Sequence, residues 1–169
     1  MNQSALHKIS YGMYLVSAKK DERFNGQIAN TVFQLTAQPP VIAVSINKEN
    51  LTHEFIQAAQ GFAVSVLTAD TPMPFIGRFG FKSGRDIDKF AGVNYKLGKS
   101  GLPIVLENSC AYLEVEVMKE IDVGTHTLFI GKLVDAEIIN DNEPLTYADY
   151  HQVKRGKSPK TAPTYIKNG

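Results

Sequence analysis

What most constrains this chain is a succession of apolar segments of strand length, broken by turn residues, with only two stretches of helical period among them. Residues 9–17 (ISYGMYLVS), 27–37 (QIANTVFQLTA), 41–47 (VIAVSIN), 62–68 (FAVSVLT), 111–117 (AYLEVEV) and 126–139 (HTLFIGKLVDAEII) read as strands. The 41–47 run is apolar in the manner of a strand buried on both faces. In 111–117, Ala111, Leu113, Val115 and Val117 alternate with Tyr112, Glu114 and Glu116, which predicts one buried and one wet face. Asn25-Gly26 closes the charged stretch 20–26 and predicts a hairpin turn there. Gly131 marks a bulge or a close approach within a long, bent strand.

The helical stretches are short. Leu51, Phe55, Ile56 and Ala59 share one face of a helix over 51–60, with Asn50 or Thr52 as N-cap and Gly61 as the stop. Thr71-Pro72 opens a second helix that ends by Gly80. Residues 80–92 (GFKSGRDIDKFAG) read as a polar surface loop, and 144–169 as a connector, a helical turn and a Pro-containing tail. With 169 residues, 43% of them hydrophobic, and no internal repeat or linker, the chain suits one domain with its own core. The fold class is mainly β with α decoration, a barrel or sandwich; the regular strand–helix alternation of a Rossmann domain is missing.

Composition narrows the function. No apolar run reaches membrane-spanning length and the N-terminus lacks a secretory pattern, so a soluble, cytoplasmic protein is expected. A lone Cys110 excludes an internal disulfide and multi-cysteine metal centres, and the four histidines lack ligand spacing, so no metal is expected. Residues 151–169 carry five basic and no acidic residues, which leaves 13 basic against 17 acidic residues in the remainder. A basic tail on an acidic body argues against nucleic acid and for a solvated tail, or one folded over an anionic ligand or a partner subunit.

Several motifs fail on spacing. Gly98-Lys99-Ser100 and Gly156-Lys157-Ser158 imitate the end of a Walker A motif, but the required upstream glycine falls on Val93 and His151. No nucleophile elbow or G-x-G-x-x-G is present, and Cys110 reads as a core thiol. Glu114 and Glu116 read as a solvated face. More unusual is the polarity of two core-like strands: Gln27, Asn30, Thr31 and Gln34 in one, then Ser45, Asn47 and Lys48 closing the other before Asn50 and Thr52. Neutral donors and acceptors beside a lysine and a helix N-terminus suit a phosphorylated heteroaromatic ligand. Strand-end turn chemistry with capping by Asn50 or Thr52 accounts for the same residues equally well.

Five ordered blocks, NGQIANTVFQLTAQPP, VSINKENLTHEFI, FIGRFGFKSGRDIDKF, VGTHTLFIGKLVDAEI and LTYADYHQVKRGKSP, resemble the flavin-reductase-like proteins with an FMN-binding split barrel, in particular their flavoredoxin branch. The resemblance spans essentially the whole chain. It implies a homodimeric antiparallel split β-barrel that binds FMN near the dimer interface, takes hydride from NADH or NADPH and passes electrons to a ferric chelate, a flavin or a small redox protein. The same likeness leaves open a flavin-binding electron carrier without nicotinamide turnover.

Carried onto this sequence, the resemblance gives Gln27, Ile28, Ala29, Asn30 and Thr31 to the isoalloxazine and ribityl chain. Ser45, Ile46, Asn47 and Lys48, with Asn50 and Thr52, would hold the ribityl hydroxyls and 5′-phosphate. Ser83, Gly84 and Arg85 would complete the phosphate pocket, and Tyr147, Tyr150 and Lys154 would cover the flavin. His126 would stand beside the flavin or nicotinamide as the catalytic candidate. Ferric-reducing members can carry Cys where this chain has Ser45, so a thiol role does not transfer. The chain shows no cysteine-rich rubredoxin segment, so the expected acceptor is external.

Overall fold

In the computed structural model, which describes residues 1–165, β1 (Tyr14–Lys20) turns through Asp21 and Glu22 into β2 (Arg23–Ala29). Lys20 pairs with Arg23 and Asp21 takes the left-handed conformation, φ 53°, which Asp tolerates. The hairpin turn expected at Asn25-Gly26 is therefore displaced. Asn25 and Gly26 lie inside β2 opposite Ala18 and Ser17, and both are buried.

The strand expected over 27–37 is also two strands. β2 ends at Ala29, and β3 (Val32–Ala37) begins after Asn30 and Thr31, whose side chains bond each other instead of extending the ladder. β4 (Pro40–Asn47) follows, then α1 (Leu51–Ala59), β5 (Gly61–Leu67), α2 (Met73–Gly80), and a small hairpin of β6 (Tyr95–Leu97) and β7 (Pro103–Val105). β8 (Ser109–Asp122), β9 (His126–Ile138) and α3 (Tyr147–Gln152) complete the order. The α1 helix stops at Gln60, which is left-handed at φ 50°, and Gly61 already belongs to β5.

Seven strands form one antiparallel sheet in the order β2-β1-β5-β8-β9-β4-β3. Its two edges, β2 and β3, are consecutive in the chain. Three Cα steps from Ala29 to Val32 reach at most about 11 Å, whereas the outer strands of a flat seven-stranded sheet stand about 29 Å apart. The sheet must therefore curl until its edges nearly meet. They share no ladder, so the result is an antiparallel split barrel, as the sequence leads one to expect.

Val16, Val44, Ile46, Phe62, Val64, Val115 and Phe129 fill the barrel, and α1 plugs one end with Phe55 and Ile56. Each such side chain contributes about 1.5–3 kcal/mol by burial. A second cluster packs Phe75, Ile76 and Phe79 of α2 against Met13, Leu15 and Phe90, which fixes α2 beside β2. β9 crosses β8 closely at Gly131, where a Cβ would lie 2.4 Å from the Glu116 carbonyl. The wet face expected on β8 is covered at Tyr112 and Glu114 and stays open at Glu116: the β6–β7 turn lies over Glu114, which, fully buried, accepts the amides of Lys99 at 2.8 Å and Ser100 at 2.7 Å.

Candidate functional site at the barrel seam

Beside the seam, β2 and the end of β4 border a cavity of about 360 Å³. One wall is β2, from Asn25 through Asn30. Ser45 and Asn47 at the end of β4 and the first turn of α1 form a second, and the loop after α2, Phe81 to Gly84, a third. The fourth is the segment from Lys157 to Pro163, which crosses the opening as a strap. Met13, Ile28, Ile76 and Phe79 supply apolar floor.

The start of α1 is electrostatically exposed to this space. Asn50 is its N-cap but makes no side-chain capping bond, and Asn50, Leu51 and Thr52 all line the cavity. The amides of Asn50 and His53 donate to the carbonyls of Asn47 and Asn50, and those of Leu51 and Thr52 are left to face an anion, with the helix dipole in support. The Thr52 side chain is instead engaged by Asn25, whose Nδ2 donates to its Oγ1 at 2.8 Å in a buried pair. Gly84 sits against that pair: a Cβ there would come within 2.0 Å of Asn25 Oδ1, so the loop closes down only because position 84 is glycine.

Among the described residues, four lysines, 82, 89, 157 and 160, line the cavity against a single carboxylate, Glu49. Lys89 is buried, with Nζ donating to the carbonyls of Gly26 at 3.0 Å and Phe79 at 3.1 Å. Burial lowers its pKa from the ordinary 10.5 to about 8. The buried Gln27 Oε1 has no hydrogen-bond partner among the described residues, although Gln27 lines the cavity. An unsatisfied acceptor there is matched by a ligand N–H donor.

The strap is held by side chains from the barrel and from α3. His126 Nε2 donates to the Thr161 carbonyl at 3.1 Å while its Nδ1 accepts from Thr125 Oγ1 at 2.8 Å. Asn30 Nδ2 donates to Thr164 Oγ1 at 2.9 Å, and Tyr147 bonds both Ser158 and Thr164. Tyr150 donates to the Lys157 carbonyl at 2.9 Å.

Of the residues assigned from the sequence, Gln27, Ile28, Ala29 and Asn30 line the cavity, as do Ser45, Asn47, Asn50 and Thr52. Ser83, Gly84, Tyr147 and Tyr150 do so too. Six do not, each for a visible reason. Ile46 is fully buried in the barrel interior, and Thr31 points its hydroxyl at Asn30 Oδ1. Lys48 is drawn to Asp122 at 2.7 Å, which holds that carboxyl below its usual range, and Arg85 pairs with Glu54. Lys154 donates to the Thr71 carbonyl at 3.1 Å. His126 does not line the cavity; both its ring nitrogens are engaged within the chain, one of them by the strap.

The profile of the "Flavin reductase like domain" family matches residues 6–155. This chain belongs to that family. Across 168 residues, 99% of each protein, this flavin-reductase-like chain is 54% identical to the ferric-chelate reductase (NAD(P)H) of Archaeoglobus fulgidus. It is 60% identical to the high molecular weight rubredoxin of Moorella thermoacetica over 98% of this chain and 72% of that one. Among solved structures, the FMN-binding protein of Thermus thermophilus superposes with a TM-score of 0.72 at 30% identity, over 78% of this chain and 74% of that one.

Sequence reasoning missed Lys82 and Lys89, and left the strap as a tail either solvated or folded over an anionic ligand or a partner subunit. Lys82 adjoins the assigned Ser83 and was within reach of the same argument. Lys89 lies in the charged run DIDKF, which reads as solvated, and nothing local signals that its ammonium turns inward onto two carbonyls. Lys157 and Lys160 were visible only as part of a basic tail.

Proposed function

We propose that this chain is an FMN-dependent NAD(P)H oxidoreductase that passes electrons to a ferric chelate, a free flavin or a small redox protein. The observation that carries the reading is one cavity in which an uncapped helix start, four lysines and an unsatisfied buried carboxamide oxygen converge. These residues fit a phosphorylated ring system: the cationic end suits a phosphate, and the apolar floor with Gln27 suits a flat, hydrogen-bonding heterocycle. FMN, when bound, supplies the ring that takes up two electrons as hydride and can release them singly.

The chain's own part is placement. Asn50 to Thr52, Lys82 and Ser83 would hold the phosphate, with Asn25 keeping Thr52 in position. Gln27 would accept from a ring N–H, and the ammonium of Lys89 adds fixed positive charge beneath it. Such a charge favours any increase of negative charge in the cavity. The strap restricts water on the open side. No side chain here has to move a proton for hydride to pass between two stacked rings; the requirement is their approach and orientation.

The same reading takes the chain to be a homodimer in the cytoplasm, where reduced nicotinamide nucleotides are at hand. Edge strand β3 exposes Phe33 and Leu35 beside an apolar groove containing Tyr14, Val32, Ile42, Leu113 and Leu133, and a second copy suits that face. Among the described residues no helix is long and apolar enough to cross a membrane.

The test is a visible absorption spectrum after incubation with FMN and removal of the excess, then addition of NADH or NADPH with ferric-EDTA. Retained flavin and sustained nicotinamide oxidation are expected. Retained flavin without oxidation would turn the reading to an electron carrier, and loss of flavin on desalting would remove its role as a resident cofactor.

A further inference from the structure

The strap presents donors, and four of its six carbonyls from Gly156 to Thr161 are taken, that of Pro159 by the Ala162 amide. The carbonyl of Gly156 accepts from His151 Nδ1 at 2.8 Å, that of Lys157 from Tyr150 at 2.9 Å, and that of Thr161 from His126 at 3.1 Å. The amides of Lys157, Ser158, Lys160 and Thr161 donate to no acceptor among the described residues. Neither the Lys157 nor the Lys160 ammonium has a carboxylate within ion-pair distance among those residues. A segment so arranged has the polarity of an anion-binding turn.

Its backbone is built to stay that way. Arg155 is left-handed at φ 54°, and Gly156 lies so close to Tyr150 that a Cβ would meet the ring at 2.0 Å. The Gly156 amide donates to the Tyr150 carbonyl at 2.9 Å. The Gly-Lys-Ser triplet that fails as a Walker motif is thus a fixed turn carrying a lysine to the cavity rim.

We propose that Gly156 to Thr161 is a phosphate-binding element for the nucleotide electron donor, with Lys157 and Lys160 as its cationic ligands. The inference rests on the function proposed above and names the residues that receive the second substrate. FMN and a nicotinamide dinucleotide both bring phosphates, but the start of α1 with Lys82 and Ser83 provides one phosphate seat away from the strap segment in sequence. The strap lysines are exposed at the rim, the place for the phosphates of a ligand that arrives and leaves while its ring reaches inward. A cavity of about 360 Å³ has the size for one such ring system with a second entering from the opening.

The experiment uses FMN-loaded protein. Flavin retention and NADPH oxidation by the unsubstituted chain are measured first and decide the functional reading by themselves. Calorimetric titration with NADP⁺, which binds without turnover, then compares that chain with Lys157→Gln/Lys160→Gln. The expected result is a Kd for NADP⁺ weakened about tenfold or more, with the Kd for FMN unchanged within about twofold. Raising ionic strength should weaken NADP⁺ binding in the unsubstituted chain much more than in the double variant. Lys119→Gln, an exposed charge change on β8, serves as the control and should leave both constants in place. Equal NADP⁺ affinity in the double variant overturns the proposal, and so does a weakened Kd for FMN alone, which would assign these lysines to the flavin phosphate.

Discussion

His126, the first residue of β9, donates from Nε2 to the carbonyl of Thr161 at 3.1 Å and so ties the barrel to the strap across its seam. Replacing it with Ala removes that tie and strands a carbonyl. The expected outcome is a faster escape of FMN, by about three- to tenfold, from the loss of one hydrogen bond. Stopped-flow release of the fluorescent flavin measures it, and His126→Gln, which keeps an amide donor, should recover part of the effect. An unchanged release rate would mean that the strap does not retain the ligand.

Gly84 and Asn25 form a coupled pair. Gly84→Ala alone drives a methyl group into the Asn25 carboxamide, 2.0 Å away, and should destabilise the fold by about 1–3 kcal/mol. Asn25→Ala alone deprives Thr52 of its buried donor, at a cost of about 1–2 kcal/mol. Combined, the second substitution makes room for the first, so the double variant should lose less than the sum. Denaturant unfolding of all four proteins supplies the cycle.

Lys89 gives the cavity a pH dependence with two signs. Its pKa in the fold, about 8, lies below the unfolded value near 10.5, so between these limits the unfolded chain binds more protons. Stability from this group therefore rises as pH climbs from about 8 to 10.5. Anion binding runs the other way, since deprotonation removes a positive charge from the wall, and FMN affinity should fall as pH passes through about 8. Lys89→Met should bind FMN more weakly at pH 7 and lose this part of the pH dependence, as fluorescence titration from pH 6.5 to 9.5 would register.

Gly131→Ala tests the strand crossing. The new methyl group would meet the Glu116 carbonyl at 2.4 Å and Val115 at 2.5 Å. Backbone cannot swing aside as a side chain can, so a loss of about 2–4 kcal/mol is expected in thermal or denaturant unfolding. The site is elsewhere, so FMN affinity per folded molecule should hold.

The legible parts of this fold are those that local periodicity controls. The 3.6-residue spacing of Leu51, Phe55 and Ile56 gives α1, and the apolar run 41–47 gives β4, because burial of a face repeats within a few residues. What escaped depends on distant partners. Asn25-Gly26 resembles a turn, yet Asn25 is claimed by Thr52, and Glu114 resembles a wet residue, yet the amides of Lys99 and Ser100 cover it. β6 and β7, three residues each, are too short to show a period. In the site, strand-end polarity and the resemblance led to Gln27, Asn30, Ser45 and Asn47. Neither says which neighbouring cation turns inward: Lys48 is captured by Asp122, 74 positions along the chain, while Lys89 folds under β2.

The two-residue link between Ala29 and Val32 also bears on which length changes this architecture can absorb. Most loops accept insertions because their ends are fixed by independent ladders. Here the link is itself the tether between the sheet's two margins, and Asn30 within it is both a cavity wall and a strap anchor. One added residue would slacken the tether, widen the mouth and shift Asn30 away from Thr164 while every strand pairing stayed intact. Divergence among proteins built this way should therefore show substitutions at the link and a nearly invariant length, with gaps collecting instead at the β8–β9 turn around Gly124.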